Sequence, residues 1–236
     1  NRINQGIIDI EHSMSKDECG TLQKLATTRK NQKTLSLDIL DRMVPSKKYA
    51  TEKLYIHGDP SGLHSLYAIE NKSWEPDDIV VWENDPTHRY AIKQINAKIN
   101  VTDNLSNYKM QFSATVGNPP YTDTSTVTGA TTGGCAKTLD THFYLSAMKR
   151  SDYVSEVIRS KHFAKSTSKF RRTLFSTAGI VSIEALSPDT FPSISMTETC
   201  ICTWKRGYNG LTKLTYLDGT VKDIRITPDT CIRFTN

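Results

Sequence analysis

The residues with the clearest chemical potential are four that follow an apolar segment in the middle of the chain. Phe112 to Val116 has the pattern of a strand and continues through Gly117 into Asn118-Pro119-Pro120-Tyr121. Adjacent prolines lack N–H donors and fix their φ angles, so they predict a rigid turn that ends the strand. Such a turn holds the Asn118 side chain and the Pro119 carbonyl as fixed hydrogen-bond acceptors, with an aromatic ring beside them. These groups suit a flat heterocycle that carries an exocyclic amino group.

This turn resembles the signature of the amino-methylating DNA methyltransferases, Asp/Asn/Ser-Pro-Pro-Tyr/Phe, and is most similar to that of the adenine-N6 group. The resemblance implies an S-adenosylmethionine-dependent enzyme that methylates the exocyclic amino group of adenine in DNA, in the setting of restriction-modification. It assigns four catalytic residues, namely Asn118, Pro119, Pro120 and Tyr121, of which Asn118 also lies at the cofactor.

The mechanism that the resemblance implies is catalysis by positioning and fixed dipoles. Asn118 and the Pro119 carbonyl accept the two hydrogens of the amino group, and the nitrogen lone pair then attacks the sulfonium methyl in line. Tyr121 stacks on an adenine that has been flipped out of the duplex.

Two acidic segments stand upstream in the order that this family uses for its cofactor. Val80 to Asp85 resembles the second strand, whose terminal acid holds the ribose hydroxyls. Glu83 is the first choice for that role and Asp85 the second, by the same logic as in dinucleotide-binding folds. Asn100 to Leu105 resembles the segment after the third strand, in which Asp103 would face the cofactor adenine.

Two helical segments complete the cofactor side of the resemblance. Lys33 to Met43 is similar to the helix that closes over the methionine part of the cofactor, with Thr34 as its contact, although the family's proline is missing. Asp140 to Ala147 is similar to the helix that carries an aromatic residue under the cofactor adenine, which assigns Phe143 to that role. The resemblance runs from about Lys33 to Lys205.

The loop after the first predicted strand departs from the family pattern, which normally reads Asp/Glu-Pro/Phe-x-x-Gly-x-Gly. The glycines of that pattern let the backbone approach the cofactor. Here a histidine stands where an acid is common, and the glycines have a different spacing. The altered loop predicts a differently built pocket, or weak or lost cofactor binding. The residues assigned to the cofactor here are His57, Gly58, Asp59 and Gly62.

A basic segment downstream of the turn is the predicted contact to nucleic acid. Between Lys149 and Arg172, eight basic residues stand against two acids. Such a run is also typical of a solvated helix face. Its place after the proposed base-binding turn favours contacts to phosphates, which orient a nucleic acid on a protein. The residues assigned to nucleic acid are Tyr121, Lys149, Arg150, Lys161, Lys165, Lys169, Arg171 and Arg172.

These residues need elements that position them, and the chain supplies alternating strands and helices. The pattern predicts a Rossmann-like α/β fold with a mostly parallel seven-stranded sheet, helices on both faces and a C-terminal β-hairpin. We expect a helical extension over 1–32, a catalytic core over 33–206 and a hairpin extension over 207–236. The hairpin is indicated by two strand-like runs around Leu217-Asp218-Gly219-Thr220.

Composition narrows the protein class without naming a partner. The 236 residues carry a net charge of +5, a surplus that permits a polyanionic partner. There is no apolar run of membrane-spanning length and no apolar leader in 1–32, so we expect a cytoplasmic protein of a bacterial or phage-infected cell. Five cysteines without paired spacing predict free thiols, and neither they nor the histidines have the spacing of a metal site.

Two other functions share these observations. The same turn would serve an N-methyltransferase of RNA or of a protein glutamine amide, since an amide nitrogen must be held in the same geometry for methyl transfer. Alternatively, the altered loop would suit a weak or inactive subunit that binds nucleic acid or a partner protein. Enzymes with this motif order usually carry a recognition domain, yet about thirty residues follow Lys205. We therefore expect minimal recognition, a partner subunit that supplies it, or recognition encoded in chain missing from this sequence.

Overall fold

The computed structural model describes residues 35–104, 111–121, 138–191 and 198–234, which fall into two compact units. The first unit takes the chain up to residue 109 together with 190–193, and the second takes 110–189 and 194–236. The predicted helices in 1–32, the cofactor residue Thr34 and most of the Thr-rich segment after Tyr121 lie outside the described residues. The predicted division at 33 and 207 stays a prediction.

The first unit alternates helices with parallel strands. The strands pair in the order β3-β2-β1, with Ile56 beside Val81 and Val81 beside Val101. β1 and most of β2 are buried, as expected of parallel strands that are covered on both faces. The elements are α1 (Leu37–Met43), β1 (Leu54–His57), α2 (Leu63–Lys72), a 3-10 turn (Pro76–Asp78), β2 (Ile79–Trp82), α3 (Pro86–Ile95) and β3 (Asn100–Thr102).

The second unit begins as parallel α/β structure and ends in mixed β structure. Its elements are β4 (Phe112–Gly117), α4 (Asp140–Arg150), β5 (Ser151–Arg159), α5 (Lys161–Ala164), α6 (Lys169–Ser176), β6 (Ile180–Ala185), β7 (Thr199–Lys205), β8 (Thr212–Thr215) and β9 (Val221–Ile224). The strands pair in the order β4-β5-β7-β6-β8-β9. β4 with β5 and β6 with β8 are parallel, whereas the other three pairs are antiparallel.

The predicted α/β class is confirmed, and four of the seven strand pairs within the units are parallel. The predicted C-terminal hairpin is confirmed as the antiparallel pair β8 and β9. It differs from a separate appendage because β8 also hydrogen-bonds to β6, with Ile183 beside Leu214. The described residues therefore contain nine strands, seven plus the two of the hairpin.

The apolar core of the second unit lies around Phe163, Leu174 and Ile183, and it includes the buried Cys200 and Cys202. Both cysteines are free thiols on the same side of β7, as their alternation predicts. None of the helices in the described ranges is long and apolar enough to span a bilayer.

Candidate active site

The predicted cofactor residues of the first unit meet at the carboxyl edge of its parallel strands. The backbone N–H of Gly58 bonds to the Trp82 carbonyl at 3.0 Å, and that of Glu83 bonds to the Thr102 carbonyl at 2.9 Å. These bonds extend the strand pairing beyond the strand ends. The loop after β1, Glu83 after β2 and Asp103 after β3 are thereby placed side by side, as the sequence predicts.

Asp59 is buried and acts as a cap for α2. Its carboxylate accepts the backbone N–H groups of His64 at 3.1 Å and Ser65 at 2.9 Å, and the Ser65 hydroxyl at 2.7 Å. Burial would raise the pKa of Asp59, but hydrogen bonds from His64 and Ser65 hold it below its ordinary value. The unusual loop thus uses its acid to satisfy helix N–H groups, which lack partners within the helix.

Glu83 is 7% exposed and joins the ends of two strands. One carboxylate oxygen accepts the Asp59 N–H at 3.2 Å, and the other accepts the Asp85 N–H at 3.1 Å. The second oxygen also lies 3.4 Å from His88 Nδ1, and this carboxylate raises the pKa of His88. A carboxylate oxygen has two lone pairs, so Glu83 retains acceptor capacity for hydroxyl groups.

Asp85, the second choice for the ribose, is engaged in a different role. It is the N-cap of α3, and its carboxylate accepts the Thr87 N–H at 2.7 Å and the His88 N–H at 3.4 Å. Pro86 follows at the first helical position, where its missing N–H costs nothing. Both carboxylates therefore accept two backbone N–H groups, and the choice of Glu83 over Asp85 as the hydroxyl acceptor stays a prediction.

The remaining cofactor residues of this edge are Asp103, His57, Gly58 and Gly62. The Asp103 side chain is 60% exposed and lies 3.3 Å from the Arg89 guanidinium. His57 is buried, and both glycines have a positive φ, 70° and 67°. The positive φ favours glycine at 62, and a Cβ there would lie 2.0 Å from the Ile95 Cδ1 atom, so the end of the Ile95 side chain would have to shift.

In the second unit, the Asn118–Tyr121 turn follows the end of β4. A hydrogen bond within the turn holds the Asn118 side chain. Asn118 is half-buried, Pro119 is buried and Pro120 is exposed. The Tyr121 hydroxyl donates to Asn118 Oδ1 at 2.8 Å. Burial, and then the charge of Asp140, raise the pKa of Tyr121, so its hydroxyl stays protonated and keeps its role as donor.

A buried ion cluster, which the sequence analysis did not identify, anchors this turn. Arg159 Nη2 donates to the Tyr121 carbonyl at 2.7 Å, and the Leu139 N–H donates to the same oxygen at 3.1 Å. The Arg159 guanidinium also makes a two-point pair with Asp140, at 3.1 Å from Nε and 2.9 Å from Nη2. His162 Nε2 completes the cluster at 2.9 Å from Asp140.

The pKa of Asp140 shows how strongly its partners hold it as an anion. Burial would raise this pKa, but the His162 and Arg159 contacts outweigh it and lower the pKa to about 2. No local signal in the sequence indicates the cluster, because nineteen residues separate Asp140 from Arg159 and thirty-eight separate Tyr121 from Arg159.

Most of the predicted nucleic-acid residues are accessible, with one exception. Arg171 is buried, and its guanidinium donates to the backbone carbonyls of Lys165, Ser166, Pro228 and Thr230. It holds the C-terminal segment to α6 and is not available to a phosphate in this structure. The others are exposed or, for Arg150, half-buried: Lys149, Arg150, Lys161, Lys165, Lys169 and Arg172.

Phe143, assigned to the cofactor adenine, is a buried residue of α4. Its position places it within the second unit, and its role at the cofactor stays a prediction.

The sequence matches no protein family profile and no curated protein sequence. Solved structures nevertheless share its fold. The methyltransferase subunit of a type I restriction-modification system from Streptococcus thermophilus has a TM-score of 0.54 at 15% identity, over 73% of this chain and 44% of that one. The type I restriction enzyme EcoKI M protein has a TM-score of 0.55 at 11% identity, over 75% of this chain and 44% of that one. The type IIG restriction endonuclease BpuSI has a TM-score of 0.52 at 13% identity, over 85% of this chain and 26% of that one.

At these identities the likeness shows the fold, which is that of restriction-modification methyltransferases. The chain spans less than half the length of each of these three proteins.

Proposed function

We propose that this protein is an S-adenosylmethionine-dependent methyltransferase that methylates the exocyclic amino group of adenine in DNA. The observation that carries the proposal is the turn after β4, in which Asn118 Oδ1 and the Pro119 carbonyl are acceptors beside the Tyr121 ring. The fold shared with restriction-modification methyltransferases supports the reaction class.

The loops after β1, β2 and β3 have groups that suit S-adenosylmethionine. Glu83 retains acceptor capacity for a ribose hydroxyl, and the positive φ of Gly58 lets the backbone approach a ligand. Asp103 has an exposed carboxylate for the adenine amino group. Asp59 and Gly62 serve the same loop indirectly, through the α2 cap and the contact with Ile95. When bound, S-adenosylmethionine supplies an electrophilic methyl group on a sulfonium sulfur.

An aromatic amine is a weak nucleophile, because its lone pair is delocalised into the ring. The turn supplies groups that counteract this delocalisation. Acceptors at Asn118 and Pro119 draw the two N–H hydrogens out of the ring plane, so the lone pair localises on nitrogen. The Tyr121 hydroxyl holds the Asn118 amide oxygen in place, and its ring offers a surface on which the base stacks. The amino proton leaves after transfer, so no side chain has to act as a base beforehand. Asp140, the acid of the cluster that anchors the turn, is already paired with Arg159.

We further propose that duplex DNA with a flipped adenine is the substrate, and that a partner subunit supplies sequence recognition. The exposed lysines of α5 and α6, together with Lys149, Arg150 and Arg172, provide sequence-independent phosphate contacts. The proposal of a partner is supported by the likeness to a protein described as the methyltransferase subunit of a type I restriction-modification system.

A transfer assay with labelled S-adenosylmethionine tests the proposal. Separate pools of duplex DNA, single-stranded DNA, RNA and protein are incubated with the protein, and the label is located by base or residue. We expect label on adenine N6 of duplex DNA. Label on RNA or on a glutamine amide would contradict the DNA assignment. Absence of cofactor binding in calorimetry would favour a non-catalytic subunit.

Asn118→Ala is expected to lower transfer by about 10²–10³-fold, because one fixed acceptor of the developing charge is lost. The matched control is Asn209→Ala, which truncates an exposed asparagine in a turn of the same unit. Both variants should keep the wild-type unfolding midpoint. Near-normal transfer by Asn118→Ala would refute the role of the turn.

A further inference from the structure

The carbonyl and the ring of Tyr121 connect the Asn118–Tyr121 turn to Arg159. The Tyr121 carbonyl accepts hydrogen bonds from Arg159 at 2.7 Å and from the Leu139 N–H at 3.1 Å. The Arg159 guanidinium also lies 5.9 Å from the centroid of the Tyr121 ring. One side chain therefore contacts both the backbone and the ring of the residue proposed to stack on the base.

Arg159 is itself held rigidly. It is 4% exposed, and Asp140 pairs with it through both carboxylate oxygens and also accepts its backbone N–H at 3.2 Å. His162 contacts Asp140 on one of those oxygens, at 2.9 Å. A planar guanidinium can bond a carboxylate and a carbonyl at once along fixed directions, which an ammonium group cannot do with the same geometry.

We propose that Arg159, fixed by Asp140 and His162, is a positioning residue that holds the Asn118–Tyr121 turn in the shape required for base binding. The guanidinium lies over one face of the Tyr121 ring, so a flat base that stacks on this ring would use the opposite face. Arg159 acts through Tyr121 and has no contact of its own with the reacting atoms. The inference rests on the proposed function for the use of the turn, whereas the anchoring can be tested without it.

The Leu139 amide is a direct reporter of the anchor, because it donates to the carbonyl that Arg159 also binds. Hydrogen exchange at this amide is measured by NMR in wild type, in Arg159→Ala and in a matched control, Arg206→Ala. Arg206 makes the same kinds of contact elsewhere: a pair with Asp152, bonds to two backbone carbonyls and a guanidinium 5.6 Å from the Trp204 ring.

We expect exchange at Leu139 to be at least about tenfold faster in Arg159→Ala than in Arg206→Ala, after correction for global unfolding. Equal protection of Leu139 in the two variants would overturn the proposal. If Arg159→Ala does not fold, Arg159→Lys takes its place, since it keeps a cation beside Asp140 but cannot bond Tyr121 and Asp140 with the same geometry. The same comparison then applies.

The catalytic readout separates positioning from general damage. In Arg159→Ala, kcat for methyl transfer should fall about 10²-fold while KM for S-adenosylmethionine stays within about threefold, because misplacing the base leaves cofactor binding intact. Methylguanidinium should restore part of the rate by entering the vacated site beside Asp140, and methylammonium at equal concentration should not. An unchanged kcat, or equal rescue by both cations, would contradict the proposal.

The two proposals fail in different ways. If the wild-type protein transfers no methyl group to any pool, the proposed function is wrong, and the Leu139 exchange still decides whether Arg159 anchors the turn. If transfer occurs and Leu139 is equally protected in both arginine variants, the function stands and the anchor is wrong.

Discussion

Different kinds of partner hold Asp59 and Glu83 in the first unit and Asp140 in the second. In the first unit, Asp59 accepts backbone N–H groups of α2, and Glu83 accepts those of Asp59 and Asp85 in the loops after β1 and β2. In the second, Asp140 is bound by the side chains of Arg159, the last residue of β5, and His162 of α5. The first arrangement satisfies backbone N–H groups, whereas the second joins side chains from α4, β5 and α5.

This difference indicates how the protein positions the two parts of its proposed site, the cofactor loops and the base-binding turn. A loop that approaches a cofactor is shaped by side-chain acceptors, because the backbone N–H groups of loops and helix starts need partners. A turn that must hold a base is fixed through side chains from elsewhere, since Pro119 and Pro120 have no N–H groups with which to anchor themselves. Three substitutions, in order of expected effect, test the comparison.

The largest effect is expected from Asp140→Ala. It leaves the buried Arg159 without its partner, which should cost about 3–5 kcal/mol in the free energy of unfolding. The control is Asp152→Ala, whose side chain is 70% exposed in its pair with Arg206 and which should cost under about 1 kcal/mol. Denaturant unfolding followed by Trp204 fluorescence reports on this unit. Equal losses in the two variants would show that Asp140 is no more than a surface ion pair.

A smaller effect is expected in the first unit, where Asp59→Ala removes a buried helix cap. Two backbone N–H groups and the Ser65 hydroxyl lose their acceptor away from water, so we expect a loss of about 2 kcal/mol. Asp85→Ala removes an exposed cap of the same kind, and water replaces its acceptor there, so its cost should be about 1 kcal/mol or less. Unfolding followed by Trp74 and Trp82 fluorescence measures both. A larger loss of unfolding free energy in Asp85→Ala than in Asp59→Ala would show that Asp85, and not Asp59, is the more stabilising cap.

The smallest effect is expected from Gly62→Ala, at about 1–2 kcal/mol for a side chain forced to a positive φ. Gly219→Ala imposes a similar φ in the second unit, where a Cβ meets nothing within 4 Å. The excess loss in Gly62→Ala over Gly219→Ala therefore measures the contact with Ile95. Thermal unfolding compares the two variants, and identical shifts would show that Ile95 moves aside without cost.

The sequence predicts well whatever depends on neighbours along the chain. The edge that gathers Glu83 and Asp103 follows from parallel strands, whose carboxyl ends lie side by side. The turn at Gly219 follows from its residue types, and the structure places Gly219 at φ 82° between β8 and β9. The roles of Glu83, Asp103 and the turn residues in binding stay predictions.

The features that the sequence does not predict depend on distant contacts. Charge patterning places Arg171 on a basic face, yet carbonyls of Pro228 and Thr230 enclose it, and they lie more than fifty residues away. The Asp140 cluster also joins residues that are not neighbours, 19 and 22 positions apart, and its partners are ordinary residues of a helix and a strand end. The parallel pairing of β8 with β6 also joins segments that the local pattern cannot relate.

The last described residues of the chain, 231–234, restrict where a further module could be attached to this protein. Ile232 and Phe234 lie in the core of the second unit, and the Ile232 N–H bonds to the Phe163 carbonyl at 3.0 Å. Grafting a recognition module in place of residues 207–236 would remove these side chains and open that core. The turn at Asp218-Gly219-Thr220 is exposed and has open space around Gly219, so an inserted module would be tolerated best there.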